Sequence, residues 1–215
     1  MTDDYVLGTD DDEIARLAHQ HQVWRADTHT AWHTAGIAPG HTVIDVGCGP
    51  GFAAVELARV VGDRGRVVAL DKSRRYLDAV SARGIAQIEP RECDFDRDGE
   101  LPVADADAAW SRWVFCFVAR PRELLARIAR ALRPGGVLVS YEYFDYRTWR
   151  ASPRTPELEE FVAAVMASWR TRGGEPDIAI DLMAWLDEAG LDLVATRPIV
   201  DVVAREHPKW NWMSG

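Results

Sequence analysis

The sequence lacks the features that would place a protein on nucleic acid, in a membrane or outside the cell. Its basic residues form no stripe: 25 Lys and Arg are scattered among 34 Asp and Glu, for a net charge of -9 and a pI near 5.1. Phosphate binding draws on clustered positive charge, so a nucleic-acid partner is not expected. Cysteine is scarce: Cys48, Cys93 and Cys116 lie in apolar segments without Cys-x-x-Cys spacing, a pattern of reduced thiols in an intracellular protein. No window approaches a membrane span, and Met1 to Tyr5 carries acid where a signal peptide needs a basic region and an apolar run. The expectation is a cytoplasmic protein with no membrane contact. Internal repeats and low-complexity tracts are also missing.

What is present is one sizeable α/β domain's worth of chain, 215 residues, organised around Val43-Ile44-Asp45-Val46-Gly47-Cys48-Gly49-Pro50-Gly51. This stretch reads as a buried strand entering a glycine turn and then a helix. Ahead of it, the acidic run Asp10 to Glu13 opens a helix towards Ala35, with a break allowed near Arg25 to Thr28, and Gly36 ends it. Behind it follow a helix Ala53 to Val61, a strand Arg66 to Asp71, a helix Arg74 to Ala82 capped by Ser73, a weaker strand over 86–93, a strand Ala108 to Ser111, a helix Pro121 to Leu132 and a strand Val137 to Tyr141. Strands alternating with helices at these lengths imply a parallel sheet covered on both faces. Beyond Tyr141 come an aromatic-rich segment, a helix Glu157 to Arg172, a helix Ile178 to Ala189, and Leu191 to Ala204 as one long or two broken strands. The fold class is therefore α/β, a Rossmann-like, doubly wound and mostly parallel sheet of six or seven strands. Its parts are an N-terminal helical cap (1–36), a core (37–143), a helical insertion after strand five (144–177) and a terminal region (178–215).

Open parallel sheets bind ligands outside the carboxyl ends of their strands, where strand order reverses, and the glycine loop belongs there. Its spacing is Gly47-x-Gly49-x-Gly51 rather than Gly-x-Gly-x-x-Gly, and Asp45 stands just before it. A pyrophosphate would be repelled by that acid; a positively charged amino group would be favoured. Two further acids end strands, Asp71 in Val-Val-Ala-Leu-Asp and Asp94 in Cys-Asp-Phe. Together these residues resemble a class I S-adenosylmethionine-dependent methyltransferase over roughly residues 36 to 143, with a looser likeness at the flanks to bacterial ubiquinone and menaquinone C-methyltransferases. The resemblance implies that Gly47, Cys48, Gly49 and Gly51 lie along the methionine part of S-adenosylmethionine, with Asp45 near its amino group. It implies Asp71 on the ribose hydroxyls with Lys72 beside it, Asp94 and Phe95 at the adenine, and Ser111 and Arg112 closing the methionine end. Tyr5 and Trp24 would help cover the cofactor. The product would be S-adenosylhomocysteine.

Methyl transfer asks the protein for geometry above all, because the sulfonium carries its own leaving group. The expected acceptor is a small molecule, aromatic or a natural product. If a base is used, the candidates are His29 and His33 on the N-terminal helix and Tyr143, with Tyr141, Glu142 and Asp145 in the same neighbourhood. His29 and His33 stand at i and i+4 with no third ligand at metal spacing, so no metal is expected. Cys48 reads as a small apolar filler, and Arg112 reads equally as solvated or as carboxylate-binding. Two other functions share the cofactor motif: a non-methylating reaction such as cyclisation, rearrangement or decarboxylation, and a non-catalytic cofactor-binding subunit. A missing last strand would leave a sheet edge open, which with the helical cap gives two routes to a homodimer.

Overall fold

A computed structural model describes residues 10–214 of the chain. The N-terminal acid run starts helix α1 (Asp11–Thr34): the Asp10 carboxylate accepts the Glu13 N–H at 2.9 Å, and Asp11, Asp12 and Glu13 occupy the favourable end of the helix dipole. The helix is unbroken through 25–28. Its apolar periodicity is blurred in the sequence because the buried face carries Glu13, His21 and Thr28 alongside Trp32.

Five strands follow: β1 (Thr42–Val46), β2 (Arg66–Asp71), β3 (Ile88–Glu92), β4 (Ala106–Arg112) and β5 (Leu132–Tyr141). All pairings are parallel, in the order β3-β2-β1-β4-β5, so strand order reverses at β1. Alternate residues of β1 serve opposite faces. Ile44 and Val46 join Val68, Leu70, Phe115 and the Leu124, Leu125 and Ile128 face of α4 (Pro121–Ala131). Val43 joins Val67, Leu57 of α2 (Phe52–Val61), Leu77 of α3 (Arg74–Ser81), and the Trp32 and Trp110 pair, whose rings meet edge to face at 5.4 Å. Burial on both faces explains why β1 and β2 read as continuous apolar runs.

After β5 come a 3-10 turn (Tyr146–Thr148), α5 (Pro156–Thr171), α6 (Ala179–Ala184), α7 (Leu186–Ala189) and α8 (Pro208–Ser214). The single helix expected over 178–189 is two, interrupted at Trp185. A larger difference concerns Leu191 to Ala204, which holds no strand. Val194, Val200 and Val202 stand 80–99% exposed there, and β5 remains an edge among the described residues. The apolar alternation of that segment signals strand propensity, but a strand exists only with a partner. The described sheet thus has five strands, not six or seven. The Arg133 to Gly136 turn is absorbed into β5, at the cost of a register shift opposite Ala106 and Ala108. No helix among the described residues is long and apolar enough to cross a membrane.

Candidate functional site

At the carboxyl end of β1 the chain turns through three glycines in the left-handed region, Gly47 (φ +67°), Gly49 (φ +51°) and Gly51 (φ +80°). Two are required by their neighbours. A Cβ on Gly47 would collide with the Val114 side chain, and one on Gly51 would come within 2.6 Å of Val80 Cγ2. Gly49 is different: a Cβ there would meet only Leu17 Cδ1, at 4.0 Å, so the middle of the loop borders open space beneath α1. The loop is pinned to β2, with the Cys48 N–H on the Leu70 carbonyl at 2.9 Å and the Gly49 N–H on Asp71 Oδ2 at 2.8 Å. The other Asp71 oxygen accepts the Ser73 N–H at 2.8 Å. Burial raises the Asp71 pKa, against those two hydrogen bonds. Lys72 is exposed, and burial pushes the Cys48 thiol well above the usual range, as suits a filler.

Asp45 is buried below the loop, 2% exposed, and its Oδ2 has no partner among the described residues. Burial pushes its pKa up to about 7; Arg112 opposes that rise and Asp71 adds to it. Arg112, at the end of β4, is itself enclosed. Burial lowers it to about 10, with the Asp45 charge acting in the other direction. Its Nη1 donates to Thr28 Oγ1 at 3.2 Å and its Nη2 lies 3.4 Å from His21 Nδ1, which ties β4 to α1 across the loop. Ser111 is fully buried beside it, with its hydroxyl unpartnered among the described residues.

The other predicted residues are distributed less evenly. Tyr5 lies outside the described residues. Asp94 turns back on its own loop, Oδ1 accepting the Asp96 N–H at 3.0 Å and Oδ2 lying 3.6 Å from Arg97. The Phe95 ring is buried in the core. Trp24 stands edge-on to Trp113 at 5.6 Å, and Tyr143 stacks on Trp113 at 5.5 Å, with its hydroxyl pushed well up by burial. His29 faces α2 and bonds Glu56 at 2.5 Å, whereas His33 is exposed on the last turn of α1. The three base candidates therefore do not converge. Tyr141 donates its hydroxyl to the Asp27 carbonyl at 2.7 Å. Glu142 Oε1 accepts the N–H groups of Val114 and Phe115, at 2.9 and 3.0 Å, while its buried Oε2 is without a partner among the described residues. Burial pushes Glu142 up to about 7 despite those bonds.

Glu56 is the main residue that the sequence reading missed. It is buried on α2 with Arg25, His21 and His29 of α1 around it. Its signal was a lone acid in the apolar run Phe52 to Val61. The second omission is Trp212, which α8 returns to the face of Trp113.

The residues present fit the cofactor implied by the resemblance. Asp45 offers a buried acceptor oxygen without a partner, Gly49 leaves space that a Cβ would occupy, and Asp71 has spent one lone pair on each oxygen, leaving acceptors for hydroxyl donors. Among the described residues no group of three or more His, Cys, Asp or Glu is placed to hold a metal ion.

Comparison with known proteins agrees with this geometry. Residues 44–140 match a family profile described as a methyltransferase domain. An uncharacterized methyltransferase of Mycobacterium sp. (strain JLS) is 32% identical over 94% of this chain and 76% of its own length. The ubiquinone/menaquinone biosynthesis C-methyltransferase UbiE of Brucella suis is 27% identical over 90% of this chain and 77% of its own. A shorter match, 36% identical over 106 residues, covers 30% of an uncharacterized 37.1 kDa protein in transposon TN4556 of Streptomyces fradiae, so the chain spans under a third of that relative. Among solved structures, the complex between the Haloferax volcanii Trm112 methyltransferase activator and a methyltransferase aligns with TM-score 0.54 and 26% identity, over 74% of this chain and 71% of that one.

Proposed function

This chain belongs to the class I S-adenosylmethionine-dependent methyltransferases, and from that premise we propose that it transfers the methyl group to a small aromatic acceptor by in-line displacement. The observation that carries the acceptor class is the wall beside the glycine loop. Arg112 leads directly into Trp113, whose ring is bounded by the aromatic rings of Trp24 and Tyr143, with the Arg112 guanidinium 5.4 Å from its centroid. Flat, apolar surface of this kind suits a ring held face to face.

Bound S-adenosylmethionine supplies an electrophilic methyl group on a sulfonium with its own leaving group. The protein's part is to bind and orient. In this reading Gly47, Cys48, Gly49 and Gly51 run along the methionine portion, Asp45 accepts from its ammonium and Asp71 from the ribose hydroxyls. Ser111 and Arg112 close the methionine end; Asp94 and Phe95 border the adenine, Phe95 through its backbone N–H. Trp24 and the rest of α1 exclude water, and the 144–177 insertion shapes the acceptor side. Water exclusion and alignment at about 3 Å account for the rate without an added base. Tyr143 would not serve as a phenolate, since burial raises its pKa, and His29 is held by Glu56. The edge that β5 leaves unpaired among the described residues supports a homodimer as the state in which the enzyme works.

The test is product analysis. The protein is incubated with S-adenosylmethionine and a panel of phenols, quinols and aromatic amines, following S-adenosylhomocysteine and acceptor mass together. One equivalent of S-adenosylhomocysteine per methylated ring is expected. Conversion of a substrate without S-adenosylhomocysteine would sink the methyl-transfer reading.

A further inference from the structure

The last described helix does something that the cofactor site does not require. Helix α8 brings Trp212 back across the molecule to lie face to face with Trp113, ring centroids 5.6 Å apart and planes within 13°. Tyr143 also stacks on Trp113, at 5.5 Å and 14°, so Trp113 lies nearly parallel to both rings. Trp24 closes the slot from the side, edge-on to both indoles at 5.6 and 5.3 Å. The Trp212 Nε1–H donates to Gln20 Oε1 at 3.1 Å, which fixes the ring in its plane.

Three observations mark this as a ligand's place held by the chain itself. First, the slot is next to the chemistry: the Arg112 guanidinium that faces Asp45 lies 5.4 Å from the Trp113 ring, and Trp113 adopts φ +52°, a conformation that a bulky residue rarely takes. Second, the occupant is carried by a short element. Helix α8 has seven residues, too few to persist alone, and it follows the largely exposed strandless segment 191–204. Besides Trp212, Lys209 ties it down, lying over the Trp24 ring at 4.2 Å and pairing with Asp27 and Asp201. Third, Trp24 Nε1 is buried without an acceptor among the described residues, so the slot as filled leaves a donor unspent.

We propose that Trp212 is a resident stand-in for the methyl acceptor. The place that its indole takes against Trp113 is the acceptor subsite, selective for a planar aromatic ring bearing one hydrogen-bond donor, and residues 205–214 swing away to admit that ring. This rests on the methyltransferase reading above and adds to it the acceptor's binding place and a self-occluded resting state. The donor requirement comes from Gln20, whose side-chain oxygen accepts from whatever fills the slot.

The probe is 2-naphthol, planar with one hydroxyl, titrated calorimetrically into the full chain saturated with S-adenosylhomocysteine. Trp212→Ala should bind it at least tenfold more tightly than the unaltered chain, Trp212→Phe should stay near the unaltered chain, and Trp212→Ala combined with Trp113→Leu should lose the gain. Naphthalene, lacking the donor, should gain clearly less. A Trp212→Ala affinity within twofold of the unaltered chain, or weaker, overturns the proposal. A second measurement needs no destabilising change: in the 5-fluorotryptophan-labelled chain, the Trp212 fluorine resonance, assigned by its absence from Trp212→Phe, should move to its solvent-exposed position as 2-naphthol saturates. A resonance that stays in place overturns the proposal as well. S-adenosylhomocysteine binding is measured in the same samples. If it binds and the naphthol gain is missing, this inference alone fails; if it binds no form of the chain, the methyltransferase reading fails and takes the inference with it.

Discussion

His29 Nε2 lies 2.5 Å from Glu56 Oε2, and this contact binds the N-terminal helix to the helix that begins at the glycine loop. Arg25 bonds the other Glu56 oxygen, and His21 approaches at 3.4 Å. A buried carboxylate with three cationic or imidazole partners on one facing helix is a latch. It holds α1, and with it Leu17, over Gly49. Burial opposes the Glu56 charge, but hydrogen bonds from Arg25 and His29 outweigh it and lower its pKa. A depressed carboxylate contributes stability that is complete above the unfolded value of about 4.5 and is lost as pH falls through the folded one. Glu56→Ala should therefore cost about 3 kcal/mol at pH 7, the low end of the range for breaking a buried pair because Arg25 and His29 are half-exposed, and less below pH 4. Urea melts across that range check it; an unchanged midpoint at pH 7 would remove the latch.

Glu142 gives the opposite pH dependence. Its folded pKa lies near 7 against an ordinary 4.5, so the folded state holds the extra proton. Stability from this group is full below about pH 4.5 and declines as pH rises towards 7. Glu142→Gln keeps an oxygen for the Val114 and Phe115 N–H groups and removes the titration. Its melting temperature should vary less between pH 5 and 8 than that of the unaltered chain, with a gain on the order of 1–3 kcal/mol at pH 8. A parallel pair of stability curves would show that Glu142 ionises elsewhere.

Asp45 links proton release to cofactor binding. Burial holds the Asp45 carboxyl up to about 7 in the free chain, and an ammonium group favours the carboxylate. Affinity for S-adenosylmethionine should rise as pH goes from 5.5 to 7.5, by up to about tenfold per unit at the acid end, and calorimetry in buffers of different ionisation enthalpy should register proton release. Asp45→Asn should bind about 10- to 100-fold more weakly with a flat profile over the same range, since the amide accepts but carries no charge.

How much of this was legible in the sequence follows from how local each feature is. The glycine loop, Asp45 before it and Asp71 at the end of β2 sit within 27 residues, and the β-helix rhythm that sets them is written in short apolar runs. The His29 contact depends on the angle at which α1 crosses α2, which no periodicity encodes, so an exposed-looking i, i+4 histidine pair reads as two acceptor-side candidates. The Trp212 stack spans 99 residues from Trp113, and its helix follows a segment whose strand pattern finds no partner. Asp94 shows a third kind of loss: residue type predicts a carboxylate facing a ligand, whereas a turn two residues long satisfies the same oxygen internally.

The three glycines of the loop separate cofactor binding from folding. In each, a side chain in the left-handed region costs about 1–2 kcal/mol. Gly47→Ala adds a collision with Val114, and the segment after β4 cannot yield freely, because Glu142 holds the Val114 and Phe115 N–H groups. That variant should lose about 3 kcal/mol or more of stability, and cofactor binding with it. Gly49→Ala has nothing closer than Leu17 Cδ1 at 4.0 Å, so it should keep its fold at a cost of about 1–2 kcal/mol. Its methyl group nevertheless stands where the loop borders open space among the described residues, and where a ligand would approach the backbone. Thermal melts paired with S-adenosylmethionine titrations should therefore show Gly49→Ala folded yet at least tenfold weaker in binding. Full affinity in Gly49→Ala would mean that the cofactor does not pass over this glycine, and the loop would then owe its composition to Val114 and Val80 alone.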